Sequence, residues 1–265
     1  MKYCIDYFKG MKNTDKADEF TIIYKKRNDT LIDFLKENNT KRINLKIEED
    51  LTEGELKILK TICNNYPNLV LRFEYYNEET IEKITESGVP FFFGNRVSTW
   101  DEFLGLVDLA VTDIYIVEDL CFELDKISKI AHDAEIKLRV YPNVAQSSWK
   151  DSSDIKKFWI RPEDIDFYSQ YVDVCEFFGD AEQIPTLLRI YKEDKQWYGL
   201  LNEIIIGLKT PLDSRFTHFN FANRRVRCGK DCLKGSKCDL CNRIVDLSYT
   251  LKEAHLMVKP PKKNK

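Results

Sequence analysis

The chain has 265 residues, 43% hydrophobic and 32% charged, with a net charge of −3, enough for two small domains or one barrel-sized one with a sizeable core. Its three histidines are scattered, which argues against a histidine-rich metal site, and no uncharged run reaches the roughly 18 residues of a membrane span. Charges thread the first twenty residues, so no signal peptide is expected and a cytoplasmic location is.

Short β-prone runs alternate with helical segments. Candidate strands lie at 2–8, 43–48, 69–74, 90–95, 113–119, 137–143, 157–161 and 172–178, each a compact run rich in Val, Ile, Phe or Tyr. "EFTIIYKK" at 19–26 reads as an extra strand or hairpin partner. Helices are expected in the intervals. Thr52 with Glu55 three residues on forms a capping-box signature, and Ser98 or Thr99 offers the same before "WDE". After Phe178 the pattern becomes one long helical stretch with Pro185 near its start. Eight strands with intervening helices predict an α/β fold, a closed (β/α)8 TIM-like barrel over 1–208. No glycine-rich phosphate loop follows the first strand, which counts against an open doubly wound sheet.

In such a barrel, reactive residues sit at the C-terminal ends of the strands. That rule selects Asp6, Glu48, Glu74, Asn95, Glu118, Asn143, Arg161 and Glu176. Carboxylates sharing a mouth shift one another's protonation and suit acid–base work or a divalent cation. Glu74, Asn143 and Arg161 are the catalytic candidates, with Glu48, Glu118 and Glu176 as substrate-binding candidates. Solvent-facing strand ends are polar in any barrel, so the same residues also fit a purely structural account. No G-x-S-x-G, H-E-x-x-H or Walker-type loop is present.

The region 209–258 reads as a basic appendage and 259–265 as a disordered basic tail. From Arg215 onward, 13 basic residues oppose 4 acidic ones, a local excess of +9, leaving −12 for the remainder. Within it, "RCGKDCLKGSKCDLC" spaces Cys228, Cys232, Cys238 and Cys241 as one four-thiolate loop. In a reducing compartment such a cluster is expected to bind metal, either a structural zinc or an iron–sulfur cluster, with a pair of disulfides or an unoccupied set as the alternative. Arg224, Arg225 and Arg227 beside it, interleaved with Phe216, Phe219 and Phe221, suggest contacts to RNA or another anionic partner, although the phenylalanines also suit packing against the barrel.

The run 159–193 carries "RPED" at Arg161, Pro162, Glu163 and Asp164, then Gly179 and Tyr191. It resembles the C-terminal barrel segment of the collagenase-like peptidase family, which includes factors for oxygen-independent hydroxylation of RNA and ubiquinone. The resemblance implies a TIM-like barrel and, in some members, an iron–sulfur cluster on four cysteines. Where that family has Lys-Ile-Glu-Gly-Arg, this chain has Glu176, Phe177, Phe178, Gly179 and Asp180. The expectation is a metal-binding barrel acting as enzyme or accessory factor on RNA or a small aromatic substrate. The alternative is a non-catalytic scaffold whose zinc-clasped basic end binds nucleic acid or a protein.

Overall fold

A computed structural model describes residues 1–7, 11, 14–25, 29–74, 78–109, 111–118, 120–146, 156–209, 211–214, 221–228, 241 and 243. Among the described residues nine strands follow in chain order: β1 (Lys2–Asp6), β2 (Glu19–Ile23), β3 (Arg42–Ile47), β4 (Leu69–Phe73), β5 (Phe91–Phe93), β6 (Arg96–Val97), β7 (Asp113–Ile116), β8 (Lys137–Val140) and β9 (Val174–Phe177). All pairings are parallel, in the order β5-β4-β3-β2-β1-β9-β8-β7-β6. The first and last strands are neighbours, so the sheet curls. Its two outermost strands are separated in sequence only by Gly94 and Asn95. Thr112 N donates to Phe91 O at 3.0 Å across that junction.

The fold is thus α/β with a curled, all-parallel sheet, as expected, but it is not the closed eight-strand ladder. Three differences explain the strand count, the first being the two-residue strand β6, which follows the expected run at 90–95. Residues 19–23, the ambiguous segment, form a full strand between β1 and β3. Residues 157–161, expected as a strand, contribute only an isolated antiparallel bridge from Phe158 to Gln146. Phe158, Trp159 and Ile160 are apolar because they are buried in the core, and Pro162 ends their extension one residue after Arg161.

The helices are α1 (Asp29–Glu37), α2 (Glu53–Asn65), α3 (Glu78–Ser87), α4 (Trp100–Asp108), α5 (Leu124–Asp133), α6 (Ile165–Tyr168), α7 (Gln183–Leu188) and α8 (Phe221–Arg225). Both expected capping boxes form. Thr52 and Glu55 exchange bonds at the head of α2, and Thr99 and Glu102 do so at the head of α4. Gly88, at φ 69°, turns the chain out of α3 in a conformation other residues resist. The long helix expected after Phe178 is shorter: α7 widens into a π-helical turn over Arg189–Asp194 and stops at Lys195 in a left-handed conformation.

Odd positions in β1 and β9 face the surrounding shell, where Tyr3 stacks on Phe177 and Phe177 meets Tyr191. Leu212, Phe221, Ala222 and Val226 belong to the same buried cluster as the strands. Among the described residues no helix is long and apolar enough to cross a membrane.

Candidate active site at the C-terminal end of the sheet

The inner face of the sheet is charged. Each of six strands contributes one ionisable residue to its enclosed centre: Glu19 from β2, Arg42 from β3, Arg72 from β4, Asp113 from β7, Arg139 from β8 and Glu176 from β9. Arg139 is fully buried and donates to Asp113 at 2.8 Å and to Glu19. Arg42 donates to Asp113 and to Asn44. Arg72 reaches Glu176 at 2.8 Å and Tyr115 Oη at 3.1 Å, and Tyr115 donates to the other oxygen of Glu176. Three guanidiniums therefore face three carboxylates. Phe92 and Tyr115 lie under the guanidinium of Arg139.

This balance sets the protonation of the interior. Burial works to raise the pKa of Asp113, but Arg139 and Arg42 outweigh it and bring the value to about 2. Burial likewise opposes ionisation of Glu176, and Arg72 with Arg139 again prevails, holding it below the usual range. The cage sets three guanidiniums against three carboxylates.

Asp6, last residue of β1, stands above it. Burial, reinforced by the Glu176 and Glu74 carboxylates and opposed by Arg72 and Lys46, lifts its pKa to about 6. Glu74 accepts from Arg72 Nε at 2.7 Å. It lies so close to Gly94 that a side chain there would strike its carboxylate and come within 2.8 Å of Arg72 Nε. Arg96 lies 5.0 Å above the ring of Tyr141, which stacks on Tyr115 at 5.3 Å. The arrangement is a half-buried carboxylate poised near neutrality, with a second carboxylate, an exposed guanidinium and a phenol nearby.

The sequence-derived candidates divide accordingly. Asp6, Glu74 and Glu176 come together; Glu176 is the buried partner of Arg72, so it shapes the site from beneath. Glu48 is exposed and pairs with Lys46 at 2.8 Å. Glu118 lies just after β7 in a left-handed conformation, φ 54°. Asn95 is exposed beside the site. Asn143 is a brace: fully buried, it donates to Phe178 O at 2.7 Å and accepts from Phe178 N at 3.0 Å. Arg161 is a clamp, gripping both oxygens of Asp164 at 2.6 and 2.7 Å and donating to Ser214 O at 2.9 Å. The "RPED" motif continues that clamp, because Glu163 accepts from Trp197 N and Ser214 Oγ, and Tyr191 Oη donates to Ile160 O. Sequence reasoning missed Arg72, Arg96 and Tyr141.

Among the proposed nucleic-acid residues, Arg225 is corrected by its placement. It is buried within about 5–6 Å of the rings of Trp159, Phe221, Phe122 and Phe158, and it donates to Trp159 O and Lys157 O. A guanidinium so enclosed is a core element and not a phosphate contact. Arg224 is exposed, and Arg227 lies 3.5 Å from Asp125. Cys228 and Cys241 both pack against the core near Arg225, whose pKa burial lowers while Tyr168, Cys241, Asp164 and Cys228 oppose it. Cys232, Cys238 and the tail lie outside the described residues. Among the described residues no group of three or more His, Cys, Asp or Glu side chains is placed to hold a metal ion.

No family model and no curated protein matches this chain. Among solved structures, it is similar to a chain of a cube-shaped, highly porous protein cage designed by fusing symmetric oligomeric domains. That similarity has a TM-score of 0.45 and 9% identity, covering 99% of this chain and 88% of the other.

Proposed function

We propose that the protein is an enzyme that moves a proton on a small substrate at the C-terminal end of its sheet, with Asp6 as general base. The observation carrying this reading is the place of Asp6, partly buried at the end of β1 beside the Glu176 and Glu74 carboxylates, a setting that lifts its pKa to about 6 and so favours a carboxylate that is ionised at neutral pH yet a better proton acceptor than an exposed one. Glu74 and Arg96 would bind the substrate, Arg96 favouring an anionic or aromatic group, and the cage below keeps the surrounding dipoles fixed. The resemblance to the collagenase-like peptidase family motivates small aromatic or RNA-derived substrates.

Cys228, Cys232, Cys238 and Cys241 would hold a zinc ion or an iron–sulfur cluster. Two of them pack on the same core face and four thiolates are a complete tetrahedral donor set, which fits a structural role fastening residues 228–241 to the sheet. A second reading, a scaffold that binds RNA through this end, is supported by the exposure of Arg224 beside the cysteines.

The test is to incubate the protein with a pooled metabolite extract in D2O and follow deuterium incorporation by mass spectrometry. Wild type should label at least one compound, and Asp6→Asn should reduce that rate by about 100-fold or more. A carboxyl NMR titration placing Asp6 near 4 would sink the reading.

A further inference from the structure

The opposite, N-terminal end of the sheet holds a separate cavity of about 540 Å3, lined by Lys2, Arg42, Asn68, Thr112, Glu135 and Lys137 with apolar walls from Pro67, Val70 and Val111. Lys2 opens β1, Arg42 opens β3 and Lys137 opens β8, so three strands bring a cation to one space. Lys2 is held there through its backbone, whose N–H donates to Asp173 O at 2.7 Å.

The three cations are not equivalent. Arg42 is fixed from behind by Asp113, Thr112 and Asn44. The ammonium groups of Lys2 and Lys137 have no hydrogen-bond or ion-pair partner among the described residues. Glu135 is exposed at the rim in a left-handed conformation, φ 58°. Burial and Arg42 hold the Lys137 ammonium below the usual lysine range, with Asp113 and Glu19 opposing and Lys2 adding to the depression. Glu135 at the rim and Asp113 behind Arg42 offset part of this charge, and an anion between the two ammoniums would relieve the repulsion that is left between Lys2 and Lys137.

We propose that this cavity binds a small phosphate-bearing anion, held between Lys2 and Lys137 with Arg42 at its base. A dianion matches the two ammoniums through charge-assisted hydrogen bonds, while Arg42, whose charge Asp113 already meets, closes the base. The volume falls within the roughly 300–1,000 Å3 of small-molecule sites and exceeds what a bare phosphate fills. Val70 and Val111 would take the organic part of a phosphate monoester. This site lies at the other end of the strands from Asp6 and is independent of the reading given for that end.

Isothermal titration of the full chain with inorganic phosphate and with glycerol phosphate tests this, alongside Lys137→Met and the double variant Lys2→Gln/Lys137→Met. Saturable binding of either probe is expected, weakened at least about 10-fold by Lys137→Met. Tighter binding of glycerol phosphate identifies an ester site, and equal binding identifies free phosphate. In anion-free buffer Lys137→Met should melt no lower than wild type, which separates lost binding from lost folding. The proposal is overturned if neither probe saturates by about 10 mM, if the double variant binds as wild type does, or if only an oligoribonucleotide binds.

Discussion

The two ends of the sheet are built from the same strands and carry opposite charge. Alternate positions along β1 run Lys2, Cys4, Asp6, and along β8 they run Lys137, Arg139, with Tyr141 following. One end places Lys2 and Lys137 beside Arg42 of the cage, the other places Asp6 and Glu74 beside Arg72 of the cage, and the cage of three guanidiniums and three carboxylates lies between them. The lesson is that a two-residue period can grade charge along a strand without changing the fold. The cage that separates them also acts on both, Glu176 and Arg72 on Asp6 and Asp113 and Arg42 on Lys137.

Removing the separator should have the largest effect. Arg139→Met leaves Glu19 and Asp113 enclosed with half their counter-charge, and denaturant unfolding should show a loss of about 3–5 kcal/mol. A loss under about 1 kcal/mol would mean that the cage does not hold the two ends together.

The carboxylate end gives a smaller effect with a defined sign. Asp6 binds its proton more tightly folded than unfolded, so the native state holds more protons between about pH 4 and 6, and stability falls as pH rises through that window. The cost is complete above pH 6 and absent below about pH 4. Asp6→Asn should therefore be more stable than wild type by about 3 kcal/mol at pH 8 and equal to it near pH 3.5. Asp113 works the other way: its contribution is full above about pH 4 and lost as pH falls through about 2. Thermal melts across pH 2–8 separate the two.

The smallest effect should come from Gly94→Ala. The new methyl displaces the Glu74 carboxylate, which is partly exposed and can swing outward, and presses on the buried Arg72 Nε, so stability should fall by about 1–2 kcal/mol. The informative readout is the Asp6 titration, which should move down as the Glu74 charge retreats.

Much of this architecture was legible in the residues. The capping boxes at Thr52 and Thr99, most strand positions and the polar strand ends follow from local chemistry that burial does not override. The sequence misled where burial and strand formation part company, as at 157–161, whose apolar run fills the core without joining the sheet. It also misled at Arg161 and Asn143, because polarity after a strand does not distinguish a clamp from a reactive group. The cage left a signal that went unread: a buried or partly buried charged residue in each of six largely apolar strands, three of each sign, although β3 and β8 each carry a lysine as well. Whether that charge meets a partner depends on which strands oppose each other across the interior, and spacing along the chain does not contain that information.

The cage also constrains how this chain can change over time. Losing one member strands a charge in the interior, whereas exchanging a cation and its carboxylate together for apolar residues of like volume is close to neutral. Drift at positions 19, 113 and 139 should therefore be correlated, so that divergent descendants of this chain either keep the whole set or abandon it in matched pairs.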